Sequence, residues 1–234
     1  MNNQPHDHIV RSHDEERERL AGEILRMGEL AVAQLEAALD VVERRDDRAA
    51  GHIVANAEAI DGIERVVSPD IMKLSLRGPL ARDLREILAA LRIVSDIERI
   101  GDYAANIAKR SIALNKAPAL PVAGVLAHVG VLAVRQVGSV LEAYVRQDPD
   151  AAQVVRDNDA ALDAEYTRLF RELLTYMMED ARAITGCTHL LFMAKNLERI
   201  GDHATNIAEN IWFTVRGEDN LPPREKADDT NTTT

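Results

Sequence analysis

Cysteine is almost missing from this chain. One thiol, Cys187, stands in 234 residues. It cannot close an internal disulfide, which fits a reducing compartment and makes a small buried residue the expected role. Aromatic residues are scarce too, at 3%. Ala, Leu, Ile and Val must then fill the core, which favours helix packing over a sheet sandwich. Excess positive charge is also absent. With 28 Lys and Arg against 39 Asp and Glu, the net charge is −11. Such a chain is poorly suited to non-specific nucleic-acid binding and better suited to a basic protein surface or to cations.

Several motifs are lacking as well. The first twenty residues, MNNQPHDHIVRSHDEERERL, contain no apolar stretch of the kind a secretory signal needs. The longest run without a formal charge, Ala117 to Val134, holds Pro118, Pro121 and His128. It is short for a span and patterned like a core helix, so no transmembrane segment is expected. There is no Walker-type glycine loop, no Gly-x-Ser-x-Gly elbow and no Glu-x-x-His pair. These absences argue against an enzyme, and the last argues against a ferritin-like di-iron centre.

What the chain does have is helical periodicity. Leu20, Ile24, Met27, Ala31, Leu35, Ala38 and Val42 alternate at spacings of three and four and so share one helix face. That helix should run from about Asp14 to Arg45. Asp46 and Asp47 offer a cap for a second helix, inside which Pro69 should produce a kink or break. Gly78-Pro79 ends it, and a third helix follows from about Leu80 to Asn115. A fourth runs from about Val122 to Arg146. Asp148-Pro149 is a strong helix start. The fifth helix then continues to about Met178, and the sixth from Ile184 to just before Gly217.

The grammar repeats. At an offset of 102 residues Leu20, Ile24, Met27, Ala31 and Leu35 meet Val122, Leu126, Val129, Ala133 and Val137, and Asp46, Asn56 and Asp61 meet Asp148, Asn158 and Asp163. In the third helix of each unit the offset is 100. There ERIGDYAANIA (Glu98–Ala108) meets ERIGDHATNIA (Glu198–Ala208). A repeat of this length decides the fold. The expectation is all-α: six long helices in two similar three-helix bundles related by a pseudo-two-fold. The first bundle spans 14–116 and the second 117–216. Residues 1–13 and 217–234 are polar and expected to be poorly ordered.

The repeated motif carries the candidate chemistry. Glu98 and Asp102 are one turn apart on one helix face, as are Glu198 and Asp202. Asp159 and Asp163 form a second row in unit two. In unit one only Asp61 remains of that row, with Ala57 in the other place. Arg99 and Arg199 project about 100° away from the acidic rows and are not expected to neutralise them. Stacked carboxylates suit Mg²⁺, Ca²⁺ or Mn²⁺, and iron or zinc are further candidates. Acidic residues on helices are more often a solvated face. If the rows bind metal, unit two should hold it more tightly. It offers Asp159, Asp163, Glu198, Asp202 and Glu209, whereas unit one has Lys109 where Glu209 stands. Gly101 and Gly201, mid-helix within the motif, point to close helix approach. His203 is expected at the surface, and His6, His8 and His13 in the tail.

The duplicated Glu-Arg-Ile-Gly-Asp at 98–102 and 198–202, the segment LFRELLTYMMED (Leu169–Asp180) and the run Thr188 to Asn210 together resemble the PhoU family of phosphate-uptake regulators. The resemblance implies a six-helix fold and a cytoplasmic, non-enzymatic negative regulator. It would work between the ATPase subunit of a phosphate transporter and a sensor histidine kinase, commonly as a homodimer, in some members with a metal cluster on the acidic rows. Two departures stand out. Arg77-Gly78-Pro79 replaces a typical Arg-Gln-Pro turn, and Ala57 stands where the family usually has an acid. The alternative is a carboxylate-rich metal-binding or metal-storage helical protein.

Overall fold

The computed structural model describes residues 5–76, 81–120 and 123–217. Among them there is no strand. The helices are α1 (Pro5–Arg44), α2 (Asp47–Asn56), α3 (Glu58–Ser75), α4 (Ala81–Leu114), α5 (Ala123–Arg146), α6 (Pro149–Glu179) and α7 (Ile184–Arg216), with a short 3₁₀ turn (Ala181–Ala183) before the last.

The heptad-like seams become the core. Leu20, Ile24, Met27, Ala31, Leu35 and Ala38 of α1 are buried, and Val41 rather than Val42 takes the last place. Leu126, Val129, Ala133 and Val137 do the same work on α5. Gly124–Arg146 is apolar enough by composition to cross a membrane, but here its apolar face packs inside the bundle. The long helices α4 and α7 lie against each other, with α1 and α5 also in contact. Then α2 and α3 flank α4, and α6 flanks α7. A 34-residue helix such as α4 is about 51 Å long.

Contacts repeat at the same offset and display the pseudo-two-fold directly. A Cβ on Gly28 would lie 2.5 Å from Leu141 Cδ2, and one on Gly130 would lie 2.5 Å from Leu39 Cδ2. The pairs are reciprocal: each unit's glycine receives the other unit's leucine. The turn after the first helix of each unit repeats as well. Arg45 (φ 56°) and Gln147 (φ 49°) are left-handed. Asp46 N–H then donates to Val41 O at 3.2 Å, and Asp148 N–H to Ala143 O at 3.0 Å. Each aspartate caps the next helix, Asp46 through Ala49 N–H, Asp148 through Asp150 and Ala151 N–H.

Two expectations differ from the structure. First, α1 begins at Pro5 rather than near Asp14. No glycine or further proline interrupts the chain until Gly22, and polar character alone does not prevent a helix. Second, the second helix is interrupted at Ala57, not at Pro69. Pro69 sits inside α3, which continues to Ser75, while at Ala57 the bonding tightens to Ile60 N–H on Ala57 O, 3.2 Å. Ala57 keeps helical dihedrals (φ −55°, ψ −32°), so α2 and α3 together make the second long helix. The His6, His8 and His13 side chains, the Gly78-Pro79 turn and the tail beyond Gly217 lie outside the described residues.

Candidate functional site

In unit one the site begins with an absent side chain. A Cβ on Gly101 would come within 2.6 Å of Ile60 Cδ1. Its absence lets α3 approach α4 and carries Asp61 to the acidic row. One carboxylate oxygen each from Asp61, Glu98 and Asp102 then lie within 4.8 Å of one another. Burial raises the Glu98 pKa, the charge of Asp102 raises it further, and Asp61 and Glu64 add to this. Arg99 opposes the shift. Its guanidinium reaches both Glu98 Oε2 and Asp102 Oδ2 at 3.5 Å, although its Cα–Cβ bond points away from the row. The expectation that Arg99 leaves the acids uncompensated is therefore corrected: a long side chain spans the 100°. Behind the row, Gln34 of α1 donates Nε2–H to Gly101 O at 2.8 Å.

Unit two has the same frame and different electrostatics. Gly201 faces Leu162 as Gly101 faces Ile60. Asp159, Asp163 and Glu198 are 1%, 2% and 4% exposed, deep enough that their charges need partners. Gln136, the counterpart of Gln34, donates Nε2–H to Asp159 Oδ1 at 2.9 Å. Lys195 Nζ donates to Glu198 Oε1 at 2.9 Å, while Glu198 Oε2 is buried without a hydrogen-bond partner. Burial is the largest influence raising the Glu198 pKa. The Lys195 hydrogen bond opposes it, and Asp202 and Asp163 reinforce it. Glu209 does not join the row; Arg156, itself buried, holds it at 3.0 Å.

The structure thus brings Asp61, Glu98 and Asp102 together as candidate ligands. No comparable convergence of three acids occurs among the described residues of unit two. The sequence expects unit two to be the stronger cation site; the acids that the structure brings together are those of unit one. The rows differ in the cation each carries: Lys195, at the position of Ser95 in unit one, places an ammonium on Glu198, whereas in unit one Arg99 lies on Glu98 and Asp102. Two other residues escaped sequence reasoning. Gln34 and Gln136 fall on the 102-residue offset, so the repeat itself was the signal that could have found them. His203, expected at the surface, is half-buried and has partners. Its Nδ1 lies 2.8 Å from Asp96 Oδ1, Asn206 Nδ2–H donates to the same oxygen at 3.2 Å, and its ring stacks on Tyr103 with centroids 5.7 Å apart. Cys187 is buried and its thiol is pushed up by burial, which suits a core residue rather than a nucleophile.

Both copies of this frame fall inside recognisable domains. The PhoU domain matches residues 24–111 and again 126–211. The chain belongs to the PhoU family. It is 66% identical over 231 residues to a phosphate-specific transport system accessory protein PhoU homolog of Xylella fastidiosa strain 9a5c, covering 99% of this chain and 98% of the relative. It is 44% identical to the corresponding Rhizobium meliloti homolog, covering 97% of each. Among solved structures, PhoU from Pseudomonas aeruginosa superposes with a TM-score of 0.85 at 36% identity, over 88% of this chain and 99% of that one. The phosphate transport system regulatory protein PhoU from Streptococcus pneumoniae gives 0.82 at 27% identity, over 88% and 98%. The PhoU fold therefore extends across both units.

Proposed function

We propose that this chain is a cytoplasmic, non-catalytic negative regulator of phosphate uptake. In this reading it acts as an adaptor between the ATPase subunit of a phosphate transporter and a sensor histidine kinase, keeping the phosphate-starvation response off when phosphate is plentiful. The observation that carries the reading is the pair of PhoU domains spanning a chain that matches transport-system accessory proteins along nearly its whole length. The site is in keeping with it: carboxylates, amides and glycines that hold helices together, with a buried thiol that burial disfavours from ionising. The test is deletion of the gene with alkaline phosphatase measured at high phosphate. Derepression is expected, and unchanged phosphatase would sink the reading. The homodimer expectation belongs to the same proposal and is checked by sedimentation of the purified chain.

A second reading, cation binding, rests on one observation: the convergence of Asp61, Glu98 and Asp102 within 4.8 Å. The donor set fits a hard or borderline cation, because three carboxylate oxygens from two helices are already close and Glu98 is held at a cost in its charged form. These three residues would hold the ion, and the ion would supply charge neutralisation between α3 and α4. In unit two Glu198, Asp202, Asp159 and Asp163 would have to displace Lys195 first. Dialysis against Mn²⁺ or Fe²⁺ followed by elemental analysis tests this. Asp61→Ala should remove most of the bound metal and Asp163→Ala less; the reverse order would reject the geometry-based ranking.

A further inference from the structure

The packing leaves one surface of the α4/α7 pair uncovered. α4 packs on α1, α2, α3 and α7, while α7 packs on α4, α5 and α6. Arg92, Arg99 and Arg110 are seven and eleven residues apart, so they fall on one stripe of α4. Arg92 and Arg99 are exposed and Arg110 is half-buried. Beside them on α7 stand Phe192, Arg199 and Asn206, seven residues apart and exposed. Two ring contacts join the stripes. The Arg110 guanidinium carbon lies 4.2 Å from the Phe192 ring centroid, and that of Arg199 lies 5.7 Å from the Tyr103 centroid. From Arg92 to Arg110 the strip is about 27 Å long.

Charge on this strip is unbalanced in the direction opposite to the chain as a whole. Arg99 reaches carboxylates, but Arg92, Arg110 and Arg199 form no ion pair among the described residues. The acids beside the strip are already engaged: Glu98 and Asp102 by Arg99, and Asp96 by His203 and Asn206. Elsewhere among the described residues most arginines have found acids: Arg19 with Asp70, Arg44 with Asp40, Arg156 with Glu209 and Arg168 with Glu165. With 39 acidic side chains in the protein, three unpaired guanidinia on one uncovered strip are not explained by a shortage of partners. Two of the three are held over aromatic rings, which orients them without satisfying their hydrogen-bond donors.

We propose that this strip docks an acidic segment of a partner protein. Arg92, Arg110 and Arg199 take its carboxylates, and Phe192, 47% exposed, takes an apolar side chain between them. Arginine and aromatic residues together are what protein interfaces select. A bilayer or a nucleic acid fits less well. Either presents an extended negative surface that would meet the net charge of −11 beyond the strip, whereas a short segment meets only the local field. The proposal deepens the adaptor reading by giving the chemistry of a contact surface. It rests on the chain acting through a protein partner, but its test needs no cellular partner.

The test titrates the full chain against a fluorescent oligoglutamate peptide and, separately, against vesicles of phosphatidylcholine with phosphatidylglycerol. The wild type should bind the peptide at low salt, more weakly at physiological salt, and should ignore the vesicles. Arg92→Glu/Arg110→Glu/Arg199→Glu should lose at least about tenfold in peptide affinity, and the matching Gln triple should lose less. Arg44→Glu/Arg48→Glu/Arg135→Glu changes net charge equally at exposed positions on α1, α2 and α5, and should retain affinity within about twofold. Equal loss in the two Glu triples would make the effect one of overall charge and overturn the proposal. So would a wild type that does not bind the peptide, or one that binds vesicles instead. If the peptide results hold while the gene deletion leaves phosphatase unchanged, the surface stands and the adaptor reading falls.

Discussion

Gly201→Ala should destabilise the protein although alanine is the better helix former. Mid-helix, the exchange alone favours the folded state by up to about 1 kcal/mol. Against that stands a crowded site. The new methyl would lie 2.3 Å from Leu162 Cδ2, 2.9 Å from Asp159 Oδ1 and 3.2 Å from Gln136 Oε1. Leu162 is buried between α6 and α7 and has little room to turn, so overpacking costs about 1–3 kcal/mol. Pushing Asp159 aside also disturbs its 2.9 Å bond from Gln136, a charge-assisted contact of about 1.5–3 kcal/mol. The net loss is about 2–4 kcal/mol, or roughly 5–15 °C in Tm for a chain of this size. Gly101→Ala meets only Ile60 Cδ1 at short range and displaces no buried carboxylate, so overpacking less the propensity gain leaves a smaller loss of about 0–2 kcal/mol. Gly62→Ala and Gly138→Ala have nothing within 4 Å and should gain up to about 1 kcal/mol. Urea melts followed by circular dichroism at 222 nm provide the ranking. A Gly201→Ala protein as stable as the wild type would show that α7 does not need the glycine for its approach to α6.

Gln147 holds a left-handed conformation that glycine adopts freely, and its exposed side chain bonds only to the nearby Tyr144 O, so Gln147→Gly should stabilise by about 0.5–1 kcal/mol in the same melts; lower stability would refute the strain. The acidic rows predict a pH dependence in metal-free buffer. Glu98 and Glu198 have folded pKa values raised above 4.5, chiefly by burial, so the folded state binds these protons more tightly than the unfolded state. Their contribution to stability is full below that value and is lost as pH rises through the folded pKa. Glu198→Gln should flatten the stability profile over that window, and parallel profiles for variant and wild type would count against a buried, titrating Glu198.

Most of the fold was legible because its rules are local. Seams at spacings of three and four, Asp-Pro at 148–149 and an offset common to both halves fix four of the six long helices to within a residue or two. What escaped depended on reach or on distant pairing. Arg99 starts on the wrong face and still touches both acids, because its side chain is long enough to fold back. His203 looked solvent-facing because its partner, Asp96, lies 107 residues away in sequence. Pro69 removes one hydrogen bond without breaking its helix, while the interruption falls at Ala57, where unit two has Asp159 bonded to Gln136. The candidate site shows the same division. A repeat guarantees matching backbones, so Gly101 and Gly201 each receive a side chain from the neighbouring helix at matching positions. It guarantees nothing about charge. Three exchanges, Ala57 for Asp159, Ser95 for Lys195 and Lys109 for Glu209, accompany the difference between a half-buried row of converging acids under Arg99 and a deeper row that carries Lys195. Counting acids in each unit favours unit two, but each row already holds a cationic side chain, Arg99 on Glu98 and Asp102 and Lys195 on Glu198, so the ranking is decided by the metal content of Asp61→Ala and Asp163→Ala.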